Sequence, residues 1–550
     1  MLKDGLKKKI IIGSRQSDLA RIQALNVGQH LKEKLNIDVD FFFRPSFGDL
    51  DLDMDLAKTN SKGVFTYEFQ ELLKSGQCDL VVHSWKDLPI DENAETRIFT
   101  LNPREDQRDL LFLKKSSVGQ KKLVFMTSSP RREYHLKKSL NLFLPSIVLD
   151  SVSDTVSNSP SDPLSALEFE SIRGNIPTRF KKFLDSDCDG FVVAKAAVDR
   201  MMNTEADEFK DIRRQILDVF EKCNWMVLPL SEFPTAAAQG AIAIEILKTH
   251  PLVEQLIQIN AYDIYDSVQK ERQTHKQYGG GCHQAMGFSS LPTEFGSVFY
   301  ASGNFEDKPF HYSQFNPLKK LNQKFKPHQL YSQTQMKSER ARRRWKSSSE
   351  ASVGGAQPHG MLASELDIMT NSTKAEFVIT RYEARLEDLK NKSSTVWVSG
   401  NQTWMKLAQD GYWINGSLDG LGLKHKPNMS YLKPEHFYWL SNSSSPEDGI
   451  NLKDNLLQSS VTSYNFKFIP TYDLSYPLTR IEAESLFKDK ECFLWMSGHA
   501  FESVLMVYPE IKTKTHFCGL GRTVNTLKKH LKSDQIYFCK NEDDFLNQCL

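Results

Sequence analysis

The chain has 550 residues, 40% of them hydrophobic and 25% charged, with a formal net charge of +1. That length exceeds what one core can fill and predicts three or four domains, while the balanced charge excludes a global basic field that would gather nucleic acid. There is no run of about 18 apolar residues to span a membrane, and the start, MLKDGLKKKIII, has too short an apolar stretch for a signal peptide.

The eight cysteines, at 78, 188, 223, 282, 492, 518, 539 and 549, form no C-x-x-C pair, which argues against a disulfide framework or a zinc site. The expectation is a soluble cytoplasmic protein without a metal.

In chain order, Lys8–Ile12 reads as a strand, Gly13–Ser17 as a turn and Asp18–Leu25 as a helix, because apolar residues recur at helical spacing after the turn. Ser17 or Asp18 caps that helix, and its free N–H groups beside Arg15 make an anion site. An ordinary capped helix with a solvated arginine fits the same residues. Residues 48–65, GDLDLDMDLAKTNSKGVF, lack periodicity and read as a lid-like loop carrying Lys58 and Lys62. Cys78–His83 is a strand of buried type that ends in Ser84-Trp85-Lys86-Asp87-Leu88-Pro89. A lysine and an aspartate at a strand's carboxyl end sit where open α/β sheets bind ligands. A surface ion pair is the plainer alternative, against which the turn fixed by Pro89 speaks.

Leu123–Met126 reads as another strand, and Thr127-Ser128-Ser129-Pro130-Arg131-Arg132 opens the next helix. Two adjacent arginines at a helix N-terminus are disfavoured by the dipole unless an anion lies between them. Residues 150–165 are rich in Ser, Asp and Pro and read as an exposed insertion. SIRGNIPTR follows with Arg173 and Arg179, then the strand Gly190–Lys195, Arg200, and Phe233–Gly240 with Gln239, leading into the strand Ala241–Ile246. This alternation predicts parallel sheets with crossover helices, arranged as two α/β lobes around a cleft. Arg15, Lys86, Arg131, Arg132, Arg173, Arg179 and Arg200 all stand at or near strand–helix junctions, and a ligand with many carboxylates would satisfy so many cations. Finally Tyr278–Gly287 sets Cys282 behind three glycines, which let the chain pass close to something bulky. The thiol is either used for its reactivity or is one more small buried hydrophobe.

Taken in order, GSRQSDLA, HSWKDLP, REDQRD, TSSPRRE, SIRGNIPTR, AAAQGA and GGGCHQAMG resemble the signature series of the porphobilinogen deaminase (hydroxymethylbilane synthase) family over residues 8–315. The resemblance implies an α/β fold of two periplasmic-binding-protein-like lobes, residues 5–103 with 241–258 and residues 107–234, then a small α+β domain at 262–315 carrying the cofactor cysteine. It implies a dipyrromethane joined by thioether to Cys282, its acetates and propionates held by Lys86, Ser128, Ser129, Arg131 and Arg132. Arg15, Ser17, Arg173, Arg179 and Arg200 would hold the incoming porphobilinogen or the growing chain, and Gln239 would lie at the lobe junction. Asp87, read as ionised, would bind pyrrole N–H groups, stabilise the cation left when ammonia departs, and move protons. Four additions followed by hydrolysis would release hydroxymethylbilane. The chain departs from the family's pattern at Phe47, where arginine is usual, at Pro130, where leucine is usual, and in the insertion at 150–165. Two lobes around a cationic cleft also describe solute-binding receptors for a small dianion, which have no need of Cys282.

Residues 316–372 read as a linker, since Leu318–Lys346 holds ten Lys/Arg against one Glu; a flexible spacer and a nucleic-acid arm are the two readings, of which the spacer is preferred. Beyond Ala375, Val396–Gly400, Phe437–Asn442 and Phe493–Gly498 are strands ending in Ser-Gly or Ser-Asn, and His516–Thr523 makes a fourth such unit. With Ile469-Pro470-Thr471-Tyr472 and the Cys-Gly-Leu-Gly-Arg-Thr turn, they resemble the uroporphyrinogen-III synthase family over residues 373–550. That resemblance implies a two-lobed α/β region closing hydroxymethylbilane to uroporphyrinogen III with loss of water, Tyr472 helping the hydroxyl leave. A tyrosine packed in a hinge, and a noncatalytic interaction domain, are the alternatives. The whole predicts a monomer acting on small molecules, with no nucleic-acid or membrane partner.

Overall fold

The computed structural model describes residues 9–45, 67–120, 122–149, 167–280, 284–336, 339–341, 372, 374–390, 394–442 and 465–550. The lid-like loop with Lys58 and Lys62, Phe47, the insertion, Cys282 and residues 337–338 and 342–371 of the expected linker lie outside the described residues. The chain divides into two compact units, residues 1–141, 148–291 and 299–312, and residues 142–147, 292–298 and 313–550.

The first unit begins with β1 (Lys9–Arg15), α1 (Asp18–Leu35), β2 (Asp38–Arg44), α2 (Tyr67–Lys74), β3 (Leu80–Ser84) and β4 (Thr96–Phe99). Ala24, Val27 and Leu31 recur on one face of α1 and are buried in the core with Ile10, Ile12 and Leu80, each large side chain contributing about 1.5–3 kcal/mol. α1 lies close on β2, for a Cβ at Gly28 would come 2.8 Å from the Phe41 ring. The helix ends at Asn36, whose left-handed backbone (φ 54°) turns its N–H back to the Lys32 carbonyl.

A second sheet is built from β5 (Asp109–Lys114), β6 (Leu123–Met126), α3 (Pro130–Ser139), β7 (Leu167–Glu170), α4 (Ile176–Asp185), β8 (Gly190–Ala194), α5 (Lys195–Asn203), α6 (Lys210–Lys222) and β9 (Cys223–Val227). The chain then returns to the first sheet as β10 (Ile242–Leu247), followed by α7 (Val253–Ile259) and α8 (Tyr262–Gln277). β11 (Met286–Thr293), β12 (Gly296–Phe305) and β13 (Lys308–Pro317) form a separate sheet in that order.

The strand orders are β2-β1-β3-β10-β4 and β9-β5-β8-β6-β7. Both sheets are mixed, where the sequence predicted parallel ones: β10 runs antiparallel to β3 and β4, and β5 antiparallel to β8 and β9. The reason is the path of the chain. β5 and β10 are the strands that follow its two passages between the sheets, near residues 100–108 and 228–241, and each enters its new sheet against the direction of its neighbours. The passages touch: Glu105 N donates to Gly240 O at 3.1 Å. Gly240 sits at φ 86°, and a Cβ there would lie 2.4 Å from Glu105 O, so only glycine fits.

The second unit carries two sheets. β14 (Leu330–Ser332), β21 (Cys492–Trp495), β22 (Thr515–Cys518) and β23 (Ile536–Phe538) are parallel in that order. In the other, the order is β15 (Glu339–Ala341), β20 (Asn465–Ser475), β19 (His436–Asn442), β16 (Ala375–Ile379), β17 (Thr395–Val398) and β18 (Gly416–Ser417). All its pairs are parallel except β15 with β20. The helices that follow strands are α9 (Asn401–Gln409), α10 (Arg480–Phe487), α11 (Gly498–Val507), α12 (Thr523–His530) and α13 (Glu542–Cys549). Trp397, Trp404, Trp439 and Trp495 fill the cores.

Part of the expected linker is therefore built structure. Leu330–Ser332 pairs with Cys492–Leu494, and Leu321 and Phe325 pack on the core under β21 and β22. One of the lysines that concealed this is itself engaged: Lys319 donates to the carbonyls of Ser533, Asp534 and Ile536 and stands over the Tyr537 ring.

Candidate active site

β3 ends in a one-turn 3-10 helix, Trp85–Asp87, closed by Leu88 N donating to Trp85 O at 3.1 Å. Trp85 is buried, which turns Lys86 half inward and leaves Asp87 exposed at the tip. Trp85 N also donates to Ala241 O at 3.0 Å, fixing the turn to the start of β10. Burial pushes the Lys86 ammonium below its ordinary value, against the pull of Asp87, and Arg132, Asp109 and Arg131 lie near enough to act on it.

α3 opens at Ser129, whose hydroxyl accepts from Arg132 N at 3.4 Å, with Pro130 in the first helical position. The anion the arginine pair calls for is Asp109, at the start of β5. Its Oδ2 accepts from Arg131 Nη2 at 2.9 Å and its Oδ1 from Arg132 Nη2 at 2.8 Å and Gln239 Nε2 at 2.9 Å. Burial alone would raise the Asp109 pKa; Arg132 and Arg131 outweigh it and hold the carboxyl far below the usual range. Arg131 and Arg132 spend further donors on the carbonyls of Pro234 and Val192. Their Nε atoms are buried and have no hydrogen-bond partner among the described residues, so each arginine keeps a donor for an acid group.

Arg179 comes from α4, capped by Asn175, and its Nε donates to Gly174 O at 2.7 Å. Burial lowers its pKa, and Arg132, Asp87 and Arg15 are the charges that act on it. The turn after β3, the openings of α3 and α4 and the end of β1 thus bring Lys86, Asp87, Arg131, Arg132, Arg179 and Arg15 into one electrostatic cluster. Arg173 is half-buried just before α4.

Four more of the expected residues lie at element ends or at the passage between the sheets. Ser17 is the N-cap residue of α1 but makes no side-chain capping bond. The Ser128 hydroxyl ties the end of β6 to Ile172, donating to its carbonyl at 2.7 Å and accepting from its N–H at 2.9 Å. Ser129 serves as a cap. Arg200 is buried at the inter-sheet passage, where its Nη2 donates to Gly240 O at 2.6 Å and Glu105 and Asp199 are its charged neighbours. Gln239, in the second passage between the sheets, donates from Nε2 to Gln107 O and Asp109 Oδ1. Sequence reasoning gave Asp109 no role, although the charge run Arg104–Asp109 marked the place. It also gave none to Glu271, which takes both Arg104 Nη atoms at 2.8 and 2.9 Å.

In the second unit β20 contains Tyr472, whose backbone pairs with Asn442 of β19. Among the described residues no helix is long and apolar enough to cross a membrane, and no group of three or more His, Cys, Asp or Glu could hold a metal ion.

The family model "Porphobilinogen deaminase, dipyromethane cofactor binding domain" matches residues 10–255. A porphobilinogen deaminase of Caldicellulosiruptor saccharolyticus is 34% identical over 284 residues, 51% of this chain and 83% of its own length. That of Clostridium beijerinckii is 30% identical over 283 residues, again 51% and 83%. A probable porphobilinogen deaminase of Picrophilus torridus is 30% identical over 298 residues, covering 54% of this chain and 90% of that one. The cofactor of the matched domain is dipyrromethane, and the cluster suits its acid groups, with two guanidinium Nε donors buried and unspent beside Lys86. Through its first half, the chain belongs to the porphobilinogen deaminase family.

Proposed function

We propose that the first unit joins four porphobilinogen molecules on a dipyrromethane held through Cys282, losing one ammonia per addition, and frees the product as hydroxymethylbilane by hydrolysis with one water. The bound dipyrromethane supplies a pyrrole carbon as the nucleophile. The chain's own residues do the rest. Asp87 accepts hydrogen bonds from pyrrole N–H groups, and its carboxylate offsets the positive charge that grows as ammonia leaves the substrate. Lys86, Arg131 and Arg132 take the cofactor's acid groups, while Arg15, Arg173 and Arg179 take those of the incoming ring. The carrying observation is that one carboxylate, Asp87, stands exposed among cations whose own pairing to Asp109 is incomplete.

We read the second unit as closing the bilane to uroporphyrinogen III with loss of water. Strand order reverses between β16 and β19, and ligands of open α/β sheets bind at the carboxyl ends beside such a switch. Thr380 lies there and donates to Leu440 O at 2.9 Å, while Thr471 donates to Ser441 O at 3.2 Å. Tyr472 follows Thr471 and is the residue assigned to the departing hydroxyl.

Both readings meet in one experiment, incubation of the full chain with porphobilinogen alongside Cys282→Ser and Asp87→Ala. Intact mass should exceed the sequence mass by a dipyrromethane, except in Cys282→Ser. Asp87→Ala should keep the adduct and lose turnover, and the wild-type product should be the type III isomer. An active protein without the adduct would refute the first reading, and type I product alone would remove the second.

A further inference from the structure

The helix that leads to the cofactor loop also fastens the turn that carries Asp87. α8 presents Gln269, Arg272 and Lys276, three and four residues apart and hence on one face, to residues 88–92. Gln269 Nε2 donates to Glu92 Oε1 at 3.0 Å, and Lys276 pairs with Asp91 at 2.9 Å. Between them Arg272 donates from Nη1 to Leu88 O at 3.3 Å and from Nη2 to Pro89 O. The same helix runs on to Gly279 and Gly280, both in the left-handed region, and a Cβ on Gly280 would lie 2.9 Å from Ile90 Cδ1. Segment 88–92 is thus clasped by the helix and by the glycines just before Cys282.

The three side chains do not weigh equally. Lys276 and Asp91 are both more than half exposed, and such pairs are worth about 0–1 kcal/mol. Arg272 is only 5% exposed. A cavity of about 620 Å³ is lined by Trp85, Leu88, Pro89, Tyr265 and Arg272 among others. The Leu88 side chain packs with Trp85, Ala238, Ala241, Ala243 and Val268, while the carbonyls of Leu88 and Pro89 are held by Arg272. A guanidinium suits the task, since its planar fork reaches two successive carbonyls, where an ammonium is a single point of attachment.

We propose that Arg272 is a positioning residue for the reaction: by tying the turn Trp85–Pro89 to the helix before Cys282, it sets the register between Asp87 and the tethered cofactor. This rests on the reading of Asp87 as catalytic and Cys282 as the attachment point. A misplacement of about 1 Å at reacting groups can cost on the order of 100-fold in rate, and an effect confined to that step lowers kcat with little change in KM.

The test compares wild type, Arg272→Lys, Arg272→Met and Asp87→Asn by intact mass and by steady-state turnover of porphobilinogen. Both Arg272 variants should carry the dipyrromethane increment with KM within about 2-fold of wild type, kcat falling about 10-fold in Arg272→Lys and about 100-fold in Arg272→Met. A loaded Arg272→Met with wild-type kcat, or a raised KM at unchanged kcat, would overturn the proposal. So would a folded variant lacking the increment, which would move Arg272 to a role in attachment. Should Arg272→Met fail to fold, Arg272→Lys decides on the same criteria. An unloaded but active wild type, or an Asp87→Asn with normal turnover, would instead strike down the underlying reading.

Discussion

The two units bury charge in different ways. In the first, ionised side chains are buried together where the chain passes between its sheets: Asp109 with Arg131 and Arg132, Glu271 with Arg104, and Lys195 with Asp199 and Asp106. In the second, a buried pair of Glu376 and Lys426 at 2.9 Å lies beneath the Trp397 ring, and tryptophans fill the cores. A buried ion pair gains little over well-packed apolar residues, yet losing one partner is costly. Such pairs are thus poor cement but good rulers, each fixing the direction of a group that apolar packing would let turn. Their concentration beside Asp87 and at the passages shows where the first unit's geometry is specified most tightly.

The largest effect follows from breaking one ruler in each unit. Asp109→Asn leaves Arg131 and Arg132 without their counter-charge and should cost about 3–5 kcal/mol, together with most turnover of porphobilinogen. Glu376→Gln, which strands Lys426, should cost stability of the same order while porphobilinogen consumption is unchanged. Urea denaturation and a substrate-depletion assay on both variants make the comparison. Equal losses of activity would show that buried charge serves the two units alike.

A smaller effect is written in pH. Burial pushes the Asp199 carboxyl up to about 6, despite Lys195 and with Asp106 adding repulsion. Its folded pKa lies above the unfolded value of about 4, so its favourable contribution is complete below about pH 4 and is lost as pH rises through about 6, up to about 3 kcal/mol. Asp106 works the other way: burial would raise it, but Arg108 and Lys195 hold it down at about 2, so its contribution is present above about pH 4 and lost only on approach to pH 2. Stability measured at pH 4, 5, 6 and 7 should therefore fall along a limb that Asp199→Asn flattens. An unchanged limb in that variant would assign it to another group.

Much of the first site was legible because its cations sit at strand ends. A short apolar run followed by Lys86-Asp87, or by Ser129-Pro130-Arg131-Arg132, announces both the element and the junction. What the pattern could not say is which anion each cation meets. Asp109 lies 22 residues before Arg131, on a strand whose antiparallel entry into the sheet depends on the whole path of the chain. Arg200 shows the same limit, since a helical arginine reads alike in sequence whether or not it meets a backbone carbonyl such as that of Gly240. In the second unit, Leu330–Ser332 escaped notice because three residues inside a basic stretch carry too little periodicity. Its place is set by pairing with Cys492–Leu494, which lie 162 residues further on in the chain.

Ser129 gives the smallest and sharpest test of that legibility. The sequence assigned it to cofactor binding, while the structure spends its hydroxyl as the cap of α3, accepting from Arg132 N at 3.4 Å. In the second unit Asn541 caps α13 through a tighter bond, accepting from Asp544 N at 2.9 Å. Removing a cap costs about 1 kcal/mol, and the longer bond should cost less, so Ser129→Ala should destabilise by under about 1 kcal/mol and by less than Asn541→Ala. If capping is its whole role, intact mass will show the full dipyrromethane increment, and activity will fall only as far as Arg132 shifts at the loosened helix start. A drop in adduct occupancy at unchanged stability would instead return Ser129 to the cofactor, because a cap acts on the helix and a ligand contact acts on what the helix holds.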